Sequence, residues 1–207
     1  MVHCEEERCR FAKECWPGEA AKAHHKRTLQ GRAYQKTMRG FYWLIEGLLA
    51  GCPRPGGRSG ENPFRSKDDP PSEAADKLDD DLLWLKQQGI GAILTLTETP
   101  LPAEVLARHD LTVLHLPVPD LAPPTTGQLV RALEFIDEQH ANGRAVAVHC
   151  LMGQGRTGTV LAAYLIRNGA SPAEALRAVR AVCSGAVEMP SQERALYAFA
   201  ERRDWIA

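Results

Sequence analysis

Apolar positions along the chain recur with two different periods, and the alternation between them predicts the fold class. Helical spacing runs through Ala74 to Gln88, with Leu78, Leu82 and Leu85 on one face, and through Thr126 to Ala141, with Leu129, Leu133 and Ile136. It returns in the run Val160 to Ile166, which closes at Asn168-Gly169, and in a helix opened by Pro172 with Leu176, Val179 and Val182 inward. A last helix is expected from about Ser191 to Arg203, burying Leu196 and Phe199. Short apolar runs with β-branched members lie between these segments at Ala92–Thr97, Leu111–Leu116 and Ala145–Val148, and read as buried strands. Strands alternating with helices predict an α/β fold with a largely parallel central sheet, flanked by helices on both faces.

Two stretches fall outside this pattern. Pro53 to Ser72 is rich in Pro, Gly, Ser and charge and reads as a flexible insertion at about 53–72 within a domain spanning 40–207. Residues 1–39 form an N-terminal extension that is basic: Lys22 to Arg39 holds six basic residues and no acid. Met38 stands at its end, so it is a candidate start of translation. His3, Cys4, Cys9, Cys15, His24 and His25 lie in the extension, but the Cys gaps do not match the close pairs of zinc sites, so no metal is expected.

Composition narrows the function class. A net charge of −1 over 207 residues gives no global bias toward nucleic acid or anionic membranes. No run of eighteen apolar residues occurs, and Glu5-Glu6-Glu7 does not suit a signal peptide, so a monomeric cytoplasmic protein is the default expectation. Six cysteines, at 4, 9, 15, 52, 150 and 183, fit reduced thiols better than a disulfide framework in a chain of this length.

The chemistry is concentrated between the third predicted strand and the helix after it, in His149-Cys150-Leu151-Met152-Gly153-Gln154-Gly155-Arg156-Thr157-Gly158. A loop joining a strand end to a helix N-terminus gathers unpaired backbone N–H groups where the helix dipole favours negative charge, so a phosphate dianion can be cradled by main chain. Arg156 adds a planar two-pronged donor for phosphate oxygens, and the same field favours the thiolate of Cys150. Taken singly, Cys150 could be a buried structural thiol and Arg156 a surface cation; the strand–loop–helix context favours a nucleophile facing a bound phosphate.

His149-Cys150-x5-Arg156-Thr157-Gly158 resembles the signature of the cysteine-dependent protein tyrosine phosphatase superfamily, and the neutral residues Leu151, Met152, Gly153 and Gln154 resemble its small atypical dual-specificity members. Gly40 to Gly51, Leu94-Thr95-Leu96-Thr97-Glu98, Val118-Pro119-Asp120 and Ser184 to Glu188 are similar to the same group. The resemblance implies a phosphatase fold and a metal-independent, cofactor-free reaction in which Cys150 attacks phosphorus to give a phosphocysteine. It implies that Arg156 holds the equatorial oxygens, that Thr157 assists departure of the thiolate, and that His149 orients the loop rather than acting as a base. Leu151, Met152, Gly153, Gln154, Gly155 and Arg156 would surround the substrate phosphate.

Asp120 is the candidate general acid. It follows the strand Leu111–Leu116 in a stretch with four prolines, and so would emerge at the same edge of the sheet as the cysteine loop. An aspartate before prolines is also a common turn residue, and Thr157 could be a helix cap. Gln192 either positions the hydrolytic water or is an exposed glutamine in the first turn of a helix. Cys52 or Cys183 could resolve an oxidised Cys150 as a disulfide. The implied substrate is a phosphorylated protein, above all phosphotyrosine. Two readings stay open beside it: a non-protein phosphate such as a phosphoinositide, an inositol phosphate or an RNA 5′ phosphate, and a catalytically inactive phosphate-binding module.

Overall fold

Five strands form one sheet whose centre is the strand that ends at the cysteine loop. The computed structural model describes residues 38–57 and 71–202. In chain order the elements are β1 (Tyr42–Ile45), β2 (Leu49–Cys52), α1 (Pro71–Gln87), β3 (Ile90–Thr95), α2 (Ala103–Arg108), β4 (Thr112–His115), α3 (Thr126–Ala141), β5 (Ala145–His149), α4 (Gly155–Arg167), α5 (Pro172–Val182) and α6 (Pro190–Glu201). The strand order is β1-β2-β5-β3-β4, with only the β1/β2 pair antiparallel. The largely parallel α/β architecture is therefore present. Residues 1–37 of the extension and 58–70 of the expected insertion lie outside the described residues, while Met38 is buried in the core.

Both faces of the sheet are covered, as its alternation requires. Val146 and Val148 of β5 pack with Leu94, Leu133, Ile136, Leu161, Val179, Leu196 and Phe199, the core beneath α3 to α6. Ala145 and Ala147, on the opposite face, pack with Ala50, Ile93, Leu82 and Leu85, the core beneath α1 and α2. Capping boxes open α3, where Thr125 and Gln128 exchange bonds, and α5, where Ser171 and Glu174 do the same. No described helix is long and apolar enough to cross a membrane.

The differences from expectation are local. β1, β2 and α2 are four, four and six residues long, too short to impose a period on the sequence. Val182, expected inward, is 41% exposed because α5 ends there and the chain turns away. Residues 53–57, the start of the expected insertion, are tied down. The Arg54 guanidinium donates to Thr97 Oγ1, Thr99 O and Pro100 O, and the Gly56 N–H donates to Asp81 Oδ2 at 2.8 Å.

Candidate active site

Three strand ends deliver the site. β5 runs into His149 and Cys150, β3 leads to Glu98 and β4 leads to Asp120, so parallel strands place all three at one carboxyl edge. β5 is paired on both sides, and the Leu96 N–H donates to His149 O at 2.9 Å, which fixes where the loop begins.

His149 is fully buried, and its tautomer follows from its partners. Nδ1 lies 3.2 Å from the Cys150 carbonyl, which can only accept, so Nδ1 carries the proton and Nε2 accepts from Thr95 Oγ1 at 2.9 Å. Burial drives its pKa down to about 3, against the Cys150 bond and with help from Arg54, His115 and Arg156. A neutral ring with both nitrogens engaged orients the loop and has no capacity left to act as a base.

The loop is held from outside. Arg54 N–H donates to Leu151 O at 3.1 Å, Tyr42 Oη donates to Gly153 O at 2.7 Å, and Gly158 N–H donates to Gln154 O at 2.7 Å as α4 begins. Gly153 has φ +74, and a Cβ there would lie 2.5 Å from the carbonyl carbon of Cys52, so this position requires glycine. Cys150 is buried, Leu151 is partly buried and Met152 is 53% exposed at the rim.

Arg156 is buried at the start of α4 while its guanidinium meets two half-exposed carboxylates. Nη2 donates to Asp120 Oδ1 at 2.7 Å, and Nη1 donates to Glu98 Oε2 at 3.0 Å and to Val118 O at 2.8 Å. Glu98 also accepts the Asp120 N–H through Oε1 at 2.7 Å. Burial works against its charge, yet bonds from its own backbone N–H, Arg156 and the Asp120 N–H outweigh that and hold its carboxyl below the usual range. Nη1 is fully used, whereas Nε and one hydrogen of Nη2 remain to grip an oxyanion side-on.

Thr157 Oγ1 is the buried side-chain polar atom without a partner among the described residues. A hydroxyl left unbonded in a packed interior is expensive unless it has a task. Gln192 is not the exposed residue one reading allowed. It is fully buried in the first turn of α6, accepts from Met189 N–H at 3.1 Å and donates to Ala122 O at 3.3 Å, and its amide would touch any Cβ on Gly155 at 3.0 Å. It is thus a strut between the phosphate loop and the loop of Asp120.

Among the described residues no cluster of three or more His, Cys, Asp or Glu could hold a metal. Cys52 packs beneath α1 and α2 while Cys150 packs in the opposite core, and burial with the neighbouring Cys150 and Asp81 pushes the Cys52 thiol far up.

Comparison with known proteins agrees with this geometry. A family model described as "Polymorphic toxin system, DSP-PTPase phosphatase" matches residues 71–170. The solved structure of Tk-PTP in its active form is similar with a TM-score of 0.64 at 29% identity, covering 80% of this chain and 99% of that one. The chain belongs to the cysteine-dependent protein tyrosine phosphatase superfamily. Curated members of this superfamily that it resembles include the Arabidopsis thaliana phosphatidylglycerophosphate phosphatase PTPMT2, 31% identical over 58% of this chain and 54% of that protein. Another is the human protein tyrosine phosphatase type IVA 3, 30% identical over 50% of this chain and 61% of that protein. The chain thus spans little more than half the length of these relatives.

Sequence reasoning on phosphatase chemistry left out Glu98, Thr95, Arg54 and Tyr42 as parts of the site. Glu98 had a usable signal, because it follows a strand at the same edge as Asp120 and Cys150. The other three act through long-range hydrogen bonds that no local pattern encodes.

Proposed function

We propose that this chain hydrolyses phosphomonoesters of proteins, phosphotyrosine first and phosphoserine or phosphothreonine as further substrates, through a phosphocysteine intermediate. The observation that carries the reading is the convergence on the Cys150 loop of Arg156 and the Asp120 carboxylate, 2.7 Å from one another. The substrate phosphate takes the loop N–H groups and the open edge of Arg156, and its negative charge repels the Asp120 carboxylate from Nη2, so that this carboxyl turns to the leaving group and carries the proton. Cys150 Sγ bonds to phosphorus as the P–O bond to the leaving group breaks, and Asp120 gives its proton to the departing oxygen. Water then attacks phosphorus, Asp120 takes its proton, and the S–P bond breaks with Thr157 Oγ1 donating to the released thiolate.

A phospholipid headgroup is the second reading, favoured by the likeness to phosphatidylglycerophosphate phosphatases. Against it stand the uncharged Leu151, Met152 and Gln154, since polyanionic substrates draw on extra cations. Phosphate release with chelator present, from a phosphotyrosine peptide and from vesicles containing phosphatidylglycerophosphate, separates the two. Turnover of the peptide and its loss in Cys150→Ser support the protein reading; turnover of the vesicles alone transfers the site to lipids. Folded protein active on neither would point to a phosphate-binding module.

A further inference from the structure

The carbonyl of Gly153 is held by a side chain from the far edge of the sheet. Tyr42 lies on the edge strand β1, yet its hydroxyl reaches 2.7 Å from Gly153 O in the phosphate loop. The path is open because Gly51 stands opposite Tyr42 in the β1/β2 ladder. A Cβ at Gly51 would lie 2.3 Å from Tyr42 Cζ and 2.4 Å from its hydroxyl oxygen, so ring and glycine are a matched pair.

We propose that Tyr42 is a positioning residue of the phosphate cradle, its hydroxyl fixing the Gly153–Gln154 peptide with the carbonyl outward and the N–H inward. The inference rests on the phosphatase reading above. In a trans peptide the C=O and N–H point in opposite directions, so whatever holds the Gly153 carbonyl also aims the Gln154 N–H. The peptides before it are set in the same way: the His149 ring holds Cys150 O and the Arg54 N–H holds Leu151 O. Gly153 is the weak point of the series, because a residue without Cβ at φ +74 can also adopt the flipped peptide at little cost. Flipped, it would turn a carbonyl dipole toward the phosphate oxygens and remove one donor from the cradle. A bond from outside the loop biases that choice, and Tyr42 supplies one. Burial, with the neighbouring Cys183, drives the phenol far above its ordinary range, so it stays a donor at every working pH.

The test needs no knowledge of the substrate. Tungstate, a non-hydrolysable oxyanion, is titrated calorimetrically into wild type, Tyr42→Phe, and a protein carrying para-aminophenylalanine at position 42, which keeps an N–H donor on the same ring. Loss of one hydrogen bond to the loop predicts about tenfold weaker tungstate binding in Tyr42→Phe at a nearly unchanged melting temperature, and recovery in the amino analogue. Equal affinity in Tyr42→Phe and wild type would overturn the proposal. So would a loss that the amino analogue does not restore, or a Tyr42→Phe chain that does not fold, since each makes the residue a packing element. Wild type that binds no tungstate would sink the phosphatase reading itself, an outcome distinguishable because it concerns no variant.

Discussion

Arg156 is the residue on which the site's electrostatics converge. A buried guanidinium needs compensation, and the two carboxylates and the Val118 carbonyl supply it until a phosphate arrives. Asp120 therefore has two opposed effects, as proton donor and as competitor for the arginine. Asp120→Asn should lower kcat on a phenolic phosphate by about 10²-fold while tightening inhibition by inorganic phosphate, which a pair of turnover and inhibition curves would check. A simple turn residue would change neither. Cys150 and Arg156 stand out in the sequence because a phosphate loop needs fixed residue types after a strand end; Asp120 by itself reads as a turn residue and stands out only beside the family resemblance. Gln192 was half legible: its helix turn was evident, but its burial depends on the distant Ala122 and Gly155.

At the level of elements, α4 is aimed by what it packs against. A Cβ on Gly158 would lie 2.8 Å from Ala186 Cβ and from Val187 N, so the first turn of α4 rests directly on backbone of the segment between α5 and α6. Gly158→Ala should cost about 1–3 kcal/mol of stability by overpacking and reduce kcat as the helix start shifts, read by urea denaturation and turnover. The long helices were readable because eleven or more residues give a 3.6 period room to show. β1 and β2 were not, since Gly51 and Tyr42 owe their identities to one another across the ladder rather than to any repeat.

For the whole molecule, the central position of β5 makes acid stability a property of the site. His149 is neutral in the fold with its pKa down at about 3, while in the unfolded chain it takes up a proton near its ordinary 6.5. The unfolded state therefore binds more protons between these values, and stability is full above about pH 6.5 and falls as pH drops toward 3. His140, whose pKa burial also lowers, acts in the same sense. From His149 alone the loss at pH 4 relative to pH 7 should be on the order of 3 kcal/mol. Denaturation curves across this range should show it, and His149→Asn should flatten the slope. Sheet topology was legible as a class from the alternation of elements; the strand order was not, because it is decided by pairing between distant segments.

The cysteine stands at the end of a strand hydrogen-bonded on both flanks, its last residue His149 is held by Thr95 of β3, and the loop beyond is tied to Tyr42 of β1 and to Arg54, two residues past β2. Fraying of the edge strand β1 would release the Gly153 carbonyl but not the central strand end that carries the cysteine. The nucleophile keeps its place as long as the sheet exists and loses it only with the sheet, so a destabilising change far from the site would lower output by reducing the number of working molecules and leave each survivor at full speed.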